Sequence, residues 1–420
     1  MGLTLTRTMS IREIEVAVEA WVEATVPETW QAAARRGGRR EIRKVRSRAD
    51  YEAWYPKFAA SGLVVATWPP EYGGLDLTVG QARAAESILA PFNLGRLNPL
   101  GLNNAAPALF AHGTEEQRRR FLPPIVANTE RWCQLFSEPG AGSDLASLAT
   151  RADRDGDEWV ITGQKVWTTW AHQSEFAICL ARTDPSVPKR KGITYFVVDL
   201  RSAGVTIRPL RHIGGEVDFS EVFLDAVRVP DLHRVGAVGD GWRVAGATLA
   251  GERQMVAGAG SGGVDRIGGG SVEGVIRRAA QLGRSNEPEI RQRLAALYSE
   301  ERIRDWTNQR VRASVRAGGT PGPAASIGKV HQGSLNQRVQ LLAADLLGAH
   351  AVAWERGDGT RESWVEKMPF EVRGMLRSRA NSIEGGTTEV NKNVLGEKVL
   401  GLPREPDPYV DAPWDEVPRS

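Results

Sequence analysis

The chain predicts an α+β multidomain fold in which a helical region, a β region and a second helical region follow one another. Three observations predict it. At 420 residues the chain exceeds the ~250–300 at which a single hydrophobic core stops growing. Apolar residues recur three and four apart up to about position 128 and again from about 240, the period of an amphipathic helix. Between them the pattern changes to short β-branched and aromatic runs separated by turns. We expect a helical N-domain over 1–130, a middle antiparallel β-barrel or sandwich over 131–235, a C-terminal helical bundle over 236–405 and a tail over 406–420.

The N-terminal helices show in "QARAAESILAPF" and "APALFAHGTEEQRRRFLPPIV", with breaks at "WPPEYGGLDLTVG" and "NLGRLNPLGLNNAAP". Thr114 followed by Glu115 and Glu116 marks a helix start, because negative charge in the first turn complements the helix dipole. The strands are "EWVITGQKVWTTW", "EFAICLARTD", "GITYFVVDL", "GVTIRPL" and "SEVFLDAVRVP". Helices return over 289–315, 326–349 and 388–400. The stretch 257–274, glycine-rich and poor in charge, reads as a loop interrupting them.

Hydrophobic residues at 41% and charged residues at 25% describe a folded chain, and a net charge of +3 is too small to argue for nucleic acid or membrane. Arg35, Arg36, Arg39, Arg40, Arg43, Lys44, Arg46 and Arg48 crowd into fourteen residues; with no aromatic residues interleaved for base stacking, they read as a solvated helical face. The N-terminus lacks an apolar segment followed by a cleavage site, and nowhere do about 18 consecutive apolar residues occur. Two cysteines, Cys133 and Cys179, sit in apolar strands and read as buried free thiols, which fits a reducing cytoplasm.

Three motifs carry chemistry. In "CQLFSEPGAGSDLASL" (133–148) an apolar run breaks into a Gly-x-Gly-Ser turn, whose backbone N–H groups can approach an anion closely because glycine lacks a Cβ. Trp167, Thr168, Thr169 and Trp170 set aromatic faces beside small hydroxyls, a combination suited to a flat heteroaromatic ligand. Near the C-terminus a Gly-Gly-Thr-Thr turn at 385–388 precedes a helix whose positive end can face phosphate or a polarised carbonyl.

In this order, with this α-β-α layout, the sequence resembles the acyl-CoA dehydrogenase family of flavoenzymes over roughly residues 55 to 405. "LFSEPGAGSDLAS", "WTTWA" and "EGGTTEVNKNVLGEKVLGLP" are similar to its first signature, its flavin-binding strand and its C-terminal turn. The resemblance implies FAD as cofactor, an acyl-CoA as substrate, an electron-transfer flavoprotein or similar acceptor, and assembly into homo- or hetero-oligomers, dimers or tetramers. It implies that Gln134, Phe136 and Ser137 line the flavin ring, with Gly142 and Ser143 near the pyrophosphate and the substrate's thioester arm. Trp167 and Thr169 would hold the ring, Thr169 by a hydrogen bond, and Thr168 would also lie at the cofactor. Thr387 and Glu389 would reach the cofactor from the C-terminal domain. Asp345 and Gly348, in the degraded second signature "ADLLGAHAVAW", would stand near the adenine half. Ser143, Arg253, Gly385 and Gly386 would meet the substrate. No metal is implied.

The family removes an α-proton with a carboxylate while hydride leaves Cβ for the flavin. In many members the base directly precedes the Gly-Thr of the C-terminal turn, where this chain has Gly385, and Glu384 falls one residue early. Other members carry it before an arginine on a C-terminal-domain helix, which points to Glu252 in "TLAGERQMVAG", among small apolar neighbours that would desolvate it. Glu252 is the expected base and Glu384 the alternative. The basic motif that reaches a partner's pyrophosphate is not recognisable, Trp170 replaces a small or amide residue, and these departures are similar to members acting on bulky acyl groups. Two other readings remain: a non-catalytic partner subunit, and a flavin oxidase or monooxygenase acting on a non-CoA substrate.

Overall fold

A computed structural model of the chain describes residues 3–256, 271–317, 323, 325–354 and 367–418. The first strand is preceded by helices α1 (Ile11–Thr25), α2 (Glu28–Gly37), α3 (Arg39–Val45), α4 (Arg48–Ala60), α5 (Val79–Leu89), α6 (Ala106–His112) and α7 (Glu115–Ala127). Helices α1, α4, α5 and α7 open on capping boxes: Ser10, Ser47, Thr78 and Thr114 accept from the third helical amide, and Glu13, Asp50, Gln81 and Gln117 accept from the cap's own amide. The start expected at Thr114 is the last of these. The expected break "LNNAAP" is partly helical, because a π-turn over Gly101–Ala105 runs directly into α6. Within the arginine run, Arg46 departs from the solvated face: its guanidinium lies 4.4 Å from the Tyr51 ring centre and 5.0 Å from that of Trp30, and donates to the Phe92 and Asn93 carbonyls.

Strands β1 (Trp132–Leu135), β2 (Arg151–Asp155), β3 (Glu158–Thr169), β4 (Phe176–Arg182), β5 (Ile193–Asp199), β6 (Val205–Leu210), β7 (Phe219–Pro230) and β8 (Arg234–Val235) form one sheet. Its order is β6-β7-β3-β2-β4-β5-β8, with β1 also on β4. Most neighbours are antiparallel; β1 and β2 each join β4 in parallel. Strand β4 is buried along its whole length because both its faces are covered. Phe176, Ile178 and Leu180 pack with the N-terminal helices, while Ala177, Cys179 and Ala181 join Trp159, Ile161, Phe196 and Val222 inside the curled sheet. Cys133 and Cys179 are free and buried, and burial pushes the Cys179 thiol up to about 11.

Beyond the sheet run α8 (Gly241–Val256), α9 (Val272–Gln281), α10 (Pro288–Arg316), α11 (Ala325–Asp345), α12 (Phe370–Arg377) and α13 (Thr388–Lys398). Residues 257–270 of the expected glycine-rich loop lie outside the described residues. Its end is helix rather than loop, because Ser271 caps α9 through the Gly274 amide and Val272 and Val275 are buried. Helices α9, α10 and α11 share a small core around Val275, Leu294, Leu335 and Leu342. The tail docks on the sheet region: Trp414 and Asp415 donate backbone N–H groups to the carbonyls of Val187 and Pro185, and the buried Trp414 indole lies 4.2 Å from the Arg182 guanidinium. No helix among the described residues is long and apolar enough to cross a membrane.

Candidate functional site

The turn after β1 is held from below by a buried ion pair. Lys165, fully buried on β3, donates to Glu138 at 2.8 Å and to the carbonyls of Leu180 at 2.8 Å and Phe136 at 3.2 Å. Glu138 also accepts from the Ala149 and Thr150 amides. Burial alone would raise the Glu138 carboxyl; the Lys165 ammonium and these donors outweigh it and hold the group below its ordinary value. Backbone bonds between Glu138 and Ala141 close the turn. On its outer side Gly142 and Ser143 are exposed, and a Cβ on Gly140 or Gly142 would meet nothing within 4 Å. The turn is therefore a rigid strip of backbone with one open side.

Two residues beyond Lys165 the strand breaks register. A bulge between Lys165 and Thr168 puts Trp167 in the left-handed region at φ 60°, a conformation that bulky residues hold only when the surroundings enforce it. Its indole is 55% exposed. The hydroxyl of the neighbouring Thr168 is buried and has no hydrogen-bond partner among the described residues. Thr169 closes the strand opposite Phe219, and Trp170, also left-handed at φ 54°, donates its backbone N–H to the Asp218 carbonyl. A large aromatic residue turned to solvent on the strand that bonds to Ser137 fits the flavin that the motifs imply.

The C-terminal turn comes to the same place. Trp167 meets Phe219 edge-on at 5.7 Å, and the Arg377 guanidinium lies 5.6 Å from the Phe219 ring centre. Arg377 in turn donates to Glu384 at 3.5 Å. Gly385 and Gly386 take positive φ at 64° and 83°, which turns the chain into α13. Thr387 caps that helix by accepting from the Val390 amide, and the exposed Glu389 lies in its first turn. The Arg377 guanidinium thus sits at the edge of hydrogen-bond reach of one Glu384 oxygen.

The remaining sequence candidates divide. Ser137 gives its carbonyl to the Val166 amide and adjoins the turn. Phe136 is 3% exposed and its ring packs on Tyr195 at 6.0 Å. Gln134 accepts from Asn104 at 2.7 Å. Asp345 accepts from Arg293 at 2.6 Å and its carbonyl from Arg284, and with Gly348, left-handed at φ 57°, it lies at the end of α11. Glu252 and Arg253 fall on α8, and their side chains lie outside the described residues.

Sequence reasoning missed Asn104. It is 2% exposed and sits in the π-turn, an irregularity frequent at functional sites. Its amide orders Gln134, its carbonyl accepts from Thr248 of α8 at 3.0 Å, and its side-chain oxygen has no partner among the described residues. Thr248 is also 3.0 Å from the Tyr195 hydroxyl. The available signal was the pair Asn103-Asn104 inside an otherwise apolar run.

Three family models cover the chain in order: the acyl-CoA dehydrogenase N-terminal domain over residues 23–129, middle domain over 133–227 and C-terminal domain over 239–400. Among curated relatives, acyl-CoA dehydrogenase IpdE1 of Mycobacterium tuberculosis is 36% identical over 94% of this chain and 98% of its own length. Acyl-CoA dehydrogenase FadE34 of the same organism is 38% identical over 82% of this chain, which spans only 45% of FadE34. Among solved structures, the Tcur3481-Tcur3483 steroid ACAD superposes with a TM-score of 0.70 at 27% identity, covering 96% of this chain and 100% of that one. The ChsE4-ChsE5 complex from Mycobacterium tuberculosis gives 0.69 at 26%, with the same coverage.

Proposed function

The chain belongs to the acyl-CoA dehydrogenase family of oxidoreductases, and from that premise we propose that it binds FAD and oxidises a bulky acyl-CoA thioester to its α,β-unsaturated form, with Glu252 as the base. The observation that carries this reading is the Trp167 bulge, an exposed aromatic residue held left-handed on a strand whose Val166 bonds to Ser137, at the start of the open-sided glycine turn. Bound there, FAD would supply the hydride acceptor. The chain's own work is to hold and orient the ligands and to move one proton. Glu252 takes that proton from the thioester α-carbon. The N–H groups of Gly385 and Gly386 are the candidate donors for the thioester carbonyl, where negative charge develops as the proton leaves. An electron-transfer flavoprotein or a similar acceptor would then reoxidise the enzyme.

Steroid-type relatives support a bulky acyl group, and the two-chain neighbours support assembly with a second, related subunit. The described part of α10 leaves Tyr298, Ile303 and Trp306 more than half exposed, apolar surface that a second subunit would cover. We assign that face to subunit contact. Denaturing release and chromatography should yield FAD, and anaerobic mixing with ring-bearing acyl-CoAs should bleach its visible band. Release of FMN or of no flavin, or a flavin that no acyl-CoA bleaches, would contradict the proposal.

A further inference from the structure

The tail and the glycine turn meet through one buried guanidinium. Residues 401–411 are exposed throughout and lie beyond residue 400, where the match to the family's C-terminal domain ends. They lead from α13 to an anchor on the sheet region. There Pro413 bridges to Pro188, the Trp414 and Asp415 backbone N–H groups donate to the Val187 and Pro185 carbonyls, and the Trp414 indole N–H donates to the Ser147 carbonyl at 3.3 Å. Trp414 is 8% exposed, yet it belongs to none of the three apolar clusters among the described residues. What it covers instead is the Arg182 guanidinium, 4.2 Å from its ring centre. Arg182 is itself buried and donates to the backbone carbonyls of Ala146 at 2.7 Å, Lys189 at 3.0 Å and Leu148 at 3.1 Å.

These bonds fall on one half of the glycine turn. Residues 136–150 connect β1 to β2, and Glu138 closes the neck of that loop by accepting from the Ala149 and Thr150 amides. Gly142 and Ser143 stand exposed at its outer side. The segment that follows them is fastened from outside the loop: by Arg182 at Ala146 and Leu148, by Trp414 at Ser147, and by Lys189, whose ammonium donates to Asp144 at 2.8 Å. A guanidinium cannot shed its proton, so burying one demands acceptors, and hydrogen bonds kept from water are the stronger ones. The indole keeps water off the guanidinium face. Without it, water competes for the same carbonyls, and the loosening falls on 144–148 rather than on the sheet core. We infer that Trp414 is a positioning residue: through Arg182 the tail holds the segment after Ser143 in the shape that receives the thioester arm of the substrate. The inference rests on the acyl-CoA reading of that turn. It gives the tail a part in substrate affinity that flavin retention, assigned above to the Trp167 strand, does not share.

The test compares the native protein with Trp414→Ala and Trp414→Phe, all full-length and flavin-loaded, in two measurements. Hydrogen exchange reads the turn without any substrate. Amides of 143–148 should exchange several-fold faster in Trp414→Ala and at a near-native rate in Trp414→Phe, which keeps an aromatic face over Arg182. Anaerobic stopped-flow bleaching with cyclohexylpropanoyl-CoA then separates binding from chemistry. In Trp414→Ala the half-saturating concentration should rise by about three- to tenfold, as the fraction of turns in the binding shape falls, and Trp414→Phe should restore most of it. The plateau rate, the melting temperature and the flavin-to-protein ratio should hold. Loss of fold or of flavin in Trp414→Ala would make Trp414 a structural residue and overturn the inference, as would native exchange at 143–148. A native protein that the thioester does not bleach sinks the acyl-CoA reading and this inference with it. Bleaching of the native protein beside an unchanged half-saturating concentration in Trp414→Ala sinks this inference alone.

Discussion

The sheet region and the C-terminal helices carry the two halves of the proposed site, and they are built in different ways. In the sheet, β4 and β5 are buried almost end to end, both faces are covered, and even the fully buried Lys165 has three acceptors. The C-terminal helices share a small core at one end of α10, around Ile290, Leu294 and Leu297. Further along the same helix Tyr298, Ile303 and Trp306 face solvent. The first region finishes itself. We expect another subunit to finish the second, so damage to each should read out differently.

Lys165→Met should produce the largest loss. It strands Glu138 as an uncompensated buried charge, at a cost of about 3–5 kcal/mol, and frees the Phe136 carbonyl and the turn above it. Denaturant unfolding should show the full loss; a variant of native stability would mean that the sheet does not depend on this pair. Trp167→Ala should act on the ligand and not on the fold, since the indole is 55% exposed. Losing an aromatic wall costs about 2–4 kcal/mol of cofactor binding by analogy with aromatic truncation. The flavin-to-protein ratio should fall while the melting temperature holds, and the reverse pattern would make Trp167 a structural residue.

Trp414→Ala should release the tail without unfolding the sheet. The cation–π contact with Arg182 is worth about 0.5–2 kcal/mol, enough to shift docking but not global stability. Limited proteolysis should then cut after residue 404 faster than in the native protein, and an unchanged rate would mean that the backbone bonds to Val187 and Pro185 suffice. The smallest effect is acidic. Arg234, then Trp159, holds the Asp231 carboxyl down to about 2 despite some desolvation. Its folded value lies below the unfolded one, so its contribution is complete above about pH 4 and is lost as pH falls toward 2. Solvent screening limits that contribution to roughly 1 kcal/mol. Asp231→Asn should flatten this part of the acid-unfolding profile followed by circular dichroism, and an unaltered profile would show the pair to be idle.

How far the sequence could be read follows the same divide. Local chemistry was legible: Thr114 caps α7 where a hydroxyl precedes two glutamates, and the alternation along β4 and β5 places their side chains on two buried faces. The turn at 140–143 and the aromatic-hydroxyl strand were legible as motifs because each is short and continuous. Links over long separations were not. Trp414 meets Arg182 across more than two hundred residues, so 406–420 read as a bare tail. Asn104 reaches Gln134 and Thr248 from a turn whose sequence looks like a break. Arg46 looked like one cation in a solvated run until folding brought Trp30 and Tyr51 beneath it. Phe136, expected to line the flavin, packs into the core on the face covered by the N-terminal helices.

The central claim is that the base lies on α8 and not in the C-terminal turn. Stopped-flow bleaching of the flavin band, with Glu252→Gln and Glu384→Gln compared on the same ring-bearing acyl-CoA, tests it most directly. Glutamine keeps size and polarity but cannot accept the proton. With the base on α8, Glu252→Gln should slow reduction by about 10²–10⁴-fold with flavin content unchanged, while Glu384→Gln, which loses only its contact with Arg377, reduces at a near-native rate. Stalled reduction in Glu384→Gln beside normal reduction in Glu252→Gln would contradict it.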